Sequence, residues 1–394
     1  MTPPNDGQSV PTAKPGDASL IRVAVFTNLL PSYRLDLYRR LLADPRISVT
    51  VYTERPRGRT SFSRVDHLLG DSTRPVRHIR LFGGRFVLHL YPPDSLRADV
   101  FVVDGNLRHL VQAGYAALLR AAGKPVVIWS SATHARVAPL GARLRMRYWR
   151  FFRNFLMYTP QDCRVLREAG LRPAVLASIN NGLDQVNIDV HAAEWPQERL
   201  TAFLRQRGWL GRQIVVSSGR LDEPRLAPFA DILPDVVATV PKLLWVVIGD
   251  GAHRPAMAAA IAARGLSEYV HFAGAIYDEA ALAPLMRSAE VFVYPHAIGL
   301  SINHAFGYGL PVVTHDRAEL QGPEFSILEH GVNGFAYPYG DHAALASTVT
   351  RLLTEPGLAA DMGAAGLEVV RHQFNTAVMA KRFREVVQAA YVAD

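Results

Sequence analysis

The 394-residue sequence contains a single cysteine, few lysines and no long apolar run. Cys163 alone excludes an intramolecular disulfide and any metal site built from several cysteines. No apolar run approaches the ~18–20 residues that a membrane-spanning helix needs, and the first residues lack the basic-then-apolar pattern of a signal peptide. These absences favour a cytoplasmic protein, either soluble or attached peripherally to the inner face of the membrane.

The charge that is present is mostly arginine. Lysine and arginine total 43 against 35 acidic residues, which gives a formal net charge of +8. Such a charge suits an anionic partner, and nucleotide diphosphates, anionic membranes and nucleic acids are the three classes to consider. Zinc-finger spacing, aromatic Arg-Gly repeats and long basic runs are all missing from the sequence. We therefore expect no nucleic-acid partner.

Short apolar runs alternate with helical patterns along most of the chain, which is typical of an α/β protein with parallel sheets. The pattern restarts near residue 212, so we expect two similar Rossmann-like halves with a cleft between them. Ligands of such sheets bind outside the carboxyl ends of the strands. We expect a disordered leader at residues 1–19 and a first domain at 20–190. A linker at 191–211 leads to a second domain at 212–375. A last helix at 376–394 is expected to pack back on the first domain.

Residues 294–309 are the most informative segment. A strand ends near Tyr294, a loop carries Gly299 and Leu300, and Ser301 is a candidate N-cap for the helix that follows. Backbone N–H groups at a helix start suit a phosphate group. The same pattern also fits an ordinary strand–loop–helix crossover.

Seven short motifs occur in a fixed order between residues 181 and 335. They are Asn181-Gly182-Leu183-Asp184, Gly219-Arg220-Leu221, Gly249-Asp250-Gly251, Phe272-Ala273-Gly274, Pro295 with Ala305 and Gly309, Leu310-Pro311-Val312-Val313, and Gly331-Val332-Asn333-Gly334-Phe335. This set resembles the nucleotide-sugar site of the retaining glycosyltransferases of family 4 (glycosyl transferases group 1), which have the GT-B fold. The resemblance implies transfer of a sugar from a UDP- or GDP-linked donor to a small-molecule or glycan acceptor.

The resemblance also implies roles for individual residues. Gly219 and Gly249 would form turns at the donor, and the backbone of Gly274, Ala275 and Ile276 would hold the base. The diphosphate would be held by Arg220, Arg225 and the amides of Gly299, Leu300 and Ser301. Guanidinium groups bind phosphate bidentately and stabilise the charge that develops as it leaves. No cofactor, no metal ion and no protein nucleophile would then be required.

Two positions depart from the family pattern. The family has two glutamates separated by seven residues, and this chain has His296 and His304 there. A carboxylate accepts two hydroxyl hydrogen bonds, whereas a neutral imidazole accepts one and donates one. We expect a neutral His304 that binds the ribose and a His296 near the diphosphate. Zinc binding at this pair is not indicated, because the spacing is not His-Glu-x-x-His and a third ligand is not evident.

Two further residues are carried over by looser matches. His134 follows a strand of the first domain, where the family often has a histidine that contacts the donor sugar; a purely structural role is equally compatible with the sequence. Glu324 precedes the Asn-Gly motif, near a family glutamate that faces the sugar or the phosphate. The spacing from Glu324 to that motif is two residues longer than usual.

Residues 140–158 combine five arginines with four aromatic residues of the Phe and Trp type. Arg143, Arg147 and Arg150 share one helical face, which suits a helix lying on anionic lipid. A core helix with a solvated arginine edge fits better, because the aromatic residues occupy several faces. Three alternatives to the main prediction remain: a nucleotide-sugar epimerase, a non-catalytic nucleotide-sugar binder, and a membrane-associated polysaccharide or lipid glycosyltransferase.

Overall fold

A computed structural model describes residues 20–54, 66–82, 86–132 and 139–393. Its chain divides into two compact units, residues 1–181 with 375–394 and residues 182–374. The strands are β1 Ile21–Thr27, β2 Ile47–Glu54, β3 Thr73–Leu81, β4 Phe86–Leu90, β5 Val100–Asp104, β6 Val126–Ser130, β7 Asn154–Met157, β8 Val175–Ser178, β9 Gln213–Ser218, β10 Leu243–Ile248, β11 Val270–Gly274, β12 Val291–Val293, β13 Val312–His315 and β14 Gly334–Tyr337.

Helices connect most of these strands. They are α1 Leu35–Leu42, α2 Leu110–Ala121, α3 Pro139–Trp149, α4 Pro160–Glu168, α5 Gln185–Ala193, α6 Gln197–Gln206, α7 Ala227–Thr239, α8 Arg254–Ala263, α9 Glu279–Arg287, α10 Ser301–Gly307, α11 His342–Thr354, α12 Leu358–His372 and α13 Thr376–Ala393. Short 3₁₀ turns at Ser32–Arg34, Asp66–Ser72, Pro93–Arg97, Ser267–Tyr269, Ala318–Leu320 and Pro323–Ile327 complete the described part of the chain.

The first unit is built on an eight-stranded sheet in the order β4-β3-β2-β1-β5-β6-β7-β8. All neighbours are parallel except β3 and β4, which form an antiparallel pair at the edge. Side chains alternate between the two faces of a strand. In β1, Val23 and Val25 therefore enter one buried cluster, while Ala24 and Phe26 enter the cluster on the opposite face.

The last helix, α13, packs against the first unit. Its buried Phe383 meets Trp129 of β6 with ring centroids 5.8 Å apart. Arg384 of the same helix makes a 2.8 Å ion pair with Asp44, which follows α1. The first unit is therefore assembled from two separate stretches of sequence, as the contact division also indicates.

The second unit is built on a six-stranded parallel sheet in the order β11-β10-β9-β12-β13-β14. Its first strand, β9, lies between β10 and β12, so the chain moves to one side of β9 and later to the other. In open α/β sheets the crevice at such a reversal, beyond the carboxyl ends of the strands, is where ligands bind. Together the two sheets confirm the predicted fold class, α/β with two Rossmann-like units.

The units divide the chain at points other than those expected from the sequence. Residues 191–211, predicted as a linker, include the end of α5 and all of α6, and they belong to the second unit. Trp195 and Phe203 of this stretch pack against the second unit's core, with ring centroids 5.4 Å apart. The predicted leader, residues 1–19, lies outside the described residues.

The arginine-rich segment forms α3 followed by β7. Trp149 and Phe155 are fully buried, whereas Arg143, Arg147 and Arg150 are exposed on the same side of the helix. Trp149 and Phe155 thus supply core packing, and the arginines form a solvated edge. Among the described residues, none of the helices combines the length and apolar character needed to cross a membrane.

Candidate functional site

Three glycines join the carboxyl ends of β9, β10 and β11. The Gly249 N–H donates to the Gly274 carbonyl at 2.8 Å, and the Gly219 N–H donates to the Ile248 carbonyl at 2.9 Å. Gly249 has a φ of +149°, and a Cβ there would lie 1.9 Å from the carbonyl oxygen of Gly219. Only glycine allows this approach. Main-chain atoms therefore form the surface at this edge of the sheet.

The residues after β11 extend that surface. Ala275 is exposed, while Ile276 packs against the core of the second unit. Gly274 has a φ of +75°, a conformation that glycine adopts without strain. The chain turns here and leads into α9.

Arg225 is held beside the β9 turn by two partners. Its guanidinium donates to Glu223 at 3.1 Å and also hydrogen-bonds the Tyr294 hydroxyl. Burial alone would lower the pKa of Arg225, but these two contacts outweigh it and raise the pKa. The Tyr294 ring lies close to Gly219, where an added Cβ would be 3.0 Å from it. The structure thus brings Arg225, Tyr294 and Gly219 together.

Arg220 is in a different environment. Its side chain is 49% exposed, and its guanidinium lies 3.9 Å from the Asp222 carboxylate. At that separation an exposed ion pair holds a side chain weakly. The side chain of Arg220 is therefore accessible to solvent, whereas that of Arg225 is held by Glu223 and Tyr294.

The loop after β12 is organised by the 3₁₀ segment near Glu324. The Ile298 N–H donates to Gln321 Oε1 at 2.6 Å, and the Gly322 N–H donates to the Ile298 carbonyl at 3.1 Å. The Glu324 side chain is buried, and a Cβ at Gly299 would lie 3.9 Å from its Oε2. The structure therefore brings Glu324 to the Gly299 loop despite the longer spacing to the Asn-Gly motif.

The predicted N-cap of α10 was wrong by one residue. Leu300 occupies the N-cap position, without a side-chain hydrogen bond, and Ser301 is the first helical residue. The Ile302 N–H already bonds the Gly299 carbonyl at 3.1 Å, so the chain turns one residue earlier than the sequence pattern indicates. The Ser301 hydroxyl is not the cap of this helix.

His304 contacts a carboxylate that the sequence did not reveal. Its Nε2 lies 2.9 Å from Oε1 of Glu279 on α9, and the Tyr308 hydroxyl donates to the same oxygen. Burial would raise the pKa of Glu279, but these contacts outweigh it and lower the pKa below its ordinary value. An ionised carboxylate therefore lies directly behind the imidazole. Glu279 is 25 residues before His304 and belongs to none of the motifs, so no sequence signal pointed to it.

His296 lies near β13. Its carbonyl accepts a 3.2 Å hydrogen bond from the Thr314 hydroxyl, and its side chain is half-buried. Burial, with a smaller contribution from His296, lowers the pKa of the neighbouring His315 to about 4. His134, the remaining predicted site residue, lies outside the described residues.

One group of possible metal ligands lies in the first unit, where none was expected from the sequence. Glu54, His89 and His109 are buried, and each offers a ligand atom within 4.8 Å of the others. They belong to β2, β4 and the turn before α2, at sequence separations that match no ligand motif. Sequence reasoning considered only the pair at 296 and 304 and missed this group.

Comparison with known families identifies the second unit's domain. Residues 212–355 match the model of the family described as glycosyl transferases group 1. This range covers β9 to α11, including the three glycines, Arg225, the Gly299 loop and His304. All the site geometry described for the second unit is therefore within the matched range.

Curated relatives are similar over less than half of this chain. A phosphatidyl-myo-inositol mannosyltransferase of Mycobacterium leprae is 32% identical over 180 residues, which are 44% of this chain and 46% of that protein. A lipopolysaccharide core biosynthesis glycosyltransferase of Rhizobium meliloti is 26% identical over 197 residues, 46% of this chain and 54% of that protein. The chain thus spans about half the length of the curated relatives it matches.

Solved structures are similar over nearly the whole chain. HepE of Anabaena, solved in complex with UDP, has a TM-score of 0.70 at 17% identity, covering 94% of this chain and all of that one. A sucrose-phosphate synthase of Thermosynechococcus elongatus has a TM-score of 0.65 at 18% identity, covering 95% and 100%. These similarities confirm the GT-B class of fold. Over residues 212–355, the second unit of this chain is similar to the enzyme family described as glycosyl transferases group 1.

Proposed function

We propose that this protein is a retaining glycosyltransferase that moves a sugar from a UDP- or GDP-linked donor to a small-molecule, glycan or lipid acceptor. The observation that carries the proposal is the convergence, within residues 212–355, of a main-chain surface, a fixed arginine and a His–Glu pair at one end of the sheet. These are the groups needed to hold a phosphate, a sugar and a ribose.

The diphosphate would be bound by Arg225 and by the amides of Gly299, Leu300 and Ser301. Arg225 is preorganised, because Glu223 and Tyr294 hold its guanidinium before any ligand arrives. A preorganised cation costs no reorganisation when charge develops on the leaving phosphate. Arg220, which is half exposed after the β9 turn, would be a second cation for the diphosphate.

The ribose would be bound by His304, with Glu279 as its orienting partner. The Glu279 carboxylate accepts from the Nε2–H of His304, which leaves Nδ1 as the ring's hydrogen-bond acceptor. Together they restore a carboxylate next to the position where the family pattern has glutamate. Glu324, buried beside Gly299, would accept hydroxyl hydrogen bonds from the sugar, since a carboxylate repels phosphate.

The reaction would proceed by front-face attack on the sugar, with retention of anomeric configuration. The leaving phosphate would accept the acceptor's proton, while the arginines stabilise its growing charge. The donor base would rest on the backbone of Gly274, Ala275 and Ile276, and His296 would lie near the diphosphate. His134 is proposed at the sugar on the basis of the family resemblance alone.

Replacement of Arg220 tests this assignment. Arg220→Ala should leave the fold intact, because the side chain is exposed, and should reduce turnover about 10²–10³-fold, as loss of a donor to developing charge does. Calorimetry with UDP and GDP, combined with a transfer assay, measures both effects. Wild-type turnover in the variant would contradict the diphosphate assignment.

Two alternatives are separated by product analysis. A nucleotide-sugar epimerase would change the donor without an acceptor, and a non-catalytic binder would bind donor with neither transfer nor hydrolysis. Transfer to an acceptor, detected by mass spectrometry, excludes both. Anomeric NMR of that product would establish or refute retention.

A lipid or polysaccharide acceptor at the membrane is favoured by one observation. Arg143, Arg147 and Arg150 are exposed on one side of α3, and Phe151 beside them is 50% exposed. Cations flanked by an aromatic ring suit anionic lipid headgroups. Flotation with anionic liposomes should be weakened by Arg147→Glu combined with Arg150→Glu; unchanged flotation would refute the membrane contact.

A further inference from the structure

Four buried ionisable side chains converge in the first unit. Glu54 is the last residue of β2, and His109 immediately precedes α2. His78 of β3 and His89 of β4 are cross-strand partners in the antiparallel ladder. Each of the four residues is between 2% and 6% exposed. Three separate strands and one helix start therefore bring one carboxylate and three imidazoles to a single buried point.

The distances are those of ligands arranged around one ion. His89 Nε2 lies 2.9 Å and His109 Nδ1 lies 4.0 Å from Oε1 of Glu54. Zinc binds imidazole nitrogen at ~2.0–2.1 Å and carboxylate oxygen at ~2.0–2.2 Å, so tetrahedral ligand atoms stand roughly 3.4 Å apart. The observed separations bracket that value. His78 Nε2 lies 3.6 Å from the other carboxylate oxygen, which is beyond hydrogen-bond distance.

The donor atoms select the type of ion. Two imidazole nitrogens and one carboxylate oxygen form the His₂Glu set of zinc sites that keep a fourth position for water. Calcium and magnesium require mainly oxygen ligands, so they fit poorly.

We propose that Glu54, His89 and His109 form a zinc-binding site. The ion would join the edge hairpin of β3 and β4 to β2 and to the start of α2. Such a cross-link would hold in place the one antiparallel pair of the sheet. The proposal concerns the first unit and does not depend on the proposed transfer reaction.

The site would also order aromatic residues beside a cavity. His89 stacks on Tyr91 with ring centroids 5.6 Å apart, and Tyr91 meets Phe26 at 4.5 Å. Phe26 lines a cavity of about 150 Å³ at the carboxyl ends of β1, β5 and β6. Removal of zinc should therefore loosen the wall of this cavity as well as the edge hairpin.

Metal analysis of the full-length protein, purified without a histidine tag, tests the proposal. We expect mass spectrometry of the metals to find about one zinc per chain. A chelator should lower the melting temperature, and zinc chloride should restore it. Bound Co²⁺ should give the visible spectrum of a tetrahedral site, and added zinc should displace the Co²⁺. A protein with no zinc above background, no zinc-dependent melting shift and no such Co²⁺ spectrum would overturn it.

Variants locate the ion. Glu54→Gln and His89→Ala should each abolish the zinc-dependent melting shift and the Co²⁺ spectrum. His372→Ala should keep both, because His372 makes an exposed 3.1 Å pair with Glu368 on α12 that resembles a His–carboxylate contact without a third ligand. If Glu54→Gln folds and binds zinc as the wild type does, the site is wrong. If neither Glu54→Gln nor His89→Ala folds, the Co²⁺ spectrum of the wild type decides the question. A spectrum that shows only oxygen ligands around Co²⁺ would refute the proposed site.

Discussion

Histidine at position 304 is compatible with its surroundings in a way that glutamate would not be. Glu279 lies 2.9 Å from the ring, and its lowered pKa keeps it ionised near neutral pH. A glutamate at 304 would put two carboxylates in contact, and like charges at such distances disfavour ionisation of both. His304, which replaces the glutamate of the family pattern, and Glu279 of α9 therefore form one pair whose charges fit each other.

A charge swap tests that coupling. We expect His304→Glu alone to lose on the order of 1–3 kcal/mol of unfolding free energy and to bind nucleoside diphosphate more weakly, because two buried carboxylates repel each other. The double variant Glu279→His with His304→Glu should recover most of both losses. Urea unfolding and calorimetry measure them. Additive losses in the double variant would show that the two positions are not coupled.

The guanidinium of Arg225 is held by two partners, the Glu223 carboxylate and the Tyr294 hydroxyl. Arg225→Ala should lower turnover by about 10²–10³-fold, since a preorganised donor to developing charge is lost. Arg351→Ala is the matched control, because Arg351 makes an exposed 2.7 Å pair with Glu355 on α11. The control should retain wild-type turnover; equal losses in both variants would point to a general effect of charge.

At the level of elements, the stability of the second unit's sheet depends on close backbone contact between the ends of β9 and β10. Gly249 and Gly265 both have positive φ, but only Gly249 faces a backbone atom, at 1.9 Å from an added Cβ. Gly249→Ala should therefore destabilise the protein by more than 3 kcal/mol, whereas Gly265→Ala, with open space around it, should cost about 1 kcal/mol from backbone strain. Thermal unfolding compares the two. Equal losses would mean that the strand ends separate easily.

Most elements could be predicted from the sequence, because buried parallel strands appear as short apolar runs. The apolar run at residues 213–217 predicts a strand, and β9 forms Gln213–Ser218; the last helix, predicted within 376–394, forms Thr376–Ala393. The run at residues 310–314 also predicts a strand, but β13 is Val312–His315. Pro311 lacks the N–H that a strand ladder requires, so regular pairing begins only after it.

The partners of the site residues could not be predicted in the same way. Glu279 and His304 come from different helices, and Glu54, His89 and His109 come from two strands and a turn. Neither set has a regular spacing, since their contacts arise only when the sheet aligns its strands. Motifs identified the glycines and position 304 because those residues stand at fixed places in the family pattern that the sequence resembles.

At the scale of the whole molecule, the two units contain buried groups that respond oppositely to acid. Burial, opposed in part by the Asn106 N–H and by Arg145, raises the pKa of Asp104 in the first unit to about 6. His315 in the second unit has a pKa lowered to about 4, mainly by burial. Ordinary values are about 3.9 for Asp and 6.5 for His.

The directions of these two pKa shifts predict how the free energy of unfolding changes between pH 6.5 and pH 4.5. His315 contributes stability that is complete above pH ~6.5 and is lost as the pH falls toward 4, because the unfolded chain takes up the proton first. Asp104 takes up its proton first in the folded state, so its contribution rises as the pH falls through 6. One pKa unit corresponds to about 1.4 kcal/mol, so each effect is on the order of 2–3 kcal/mol.

Two variants separate these effects. Between pH 6.5 and 4.5, His315→Gln should lose less unfolding free energy than the wild type, and Asp104→Asn should lose more. Urea unfolding followed by circular dichroism at both pH values provides the measurement. A change of the same sign in both variants would contradict the assignment of the two groups.

The division of the chain also has a consequence for synthesis on the ribosome. Residues 182–374 are contiguous, so the second unit has been translated completely before α13 is made. The first unit must wait for α13, whose Phe383 and Met379 are fully buried within it. Although its sheet is translated first, the first unit is therefore the last to close, and until then the surface that α13 covers stays open to chaperones.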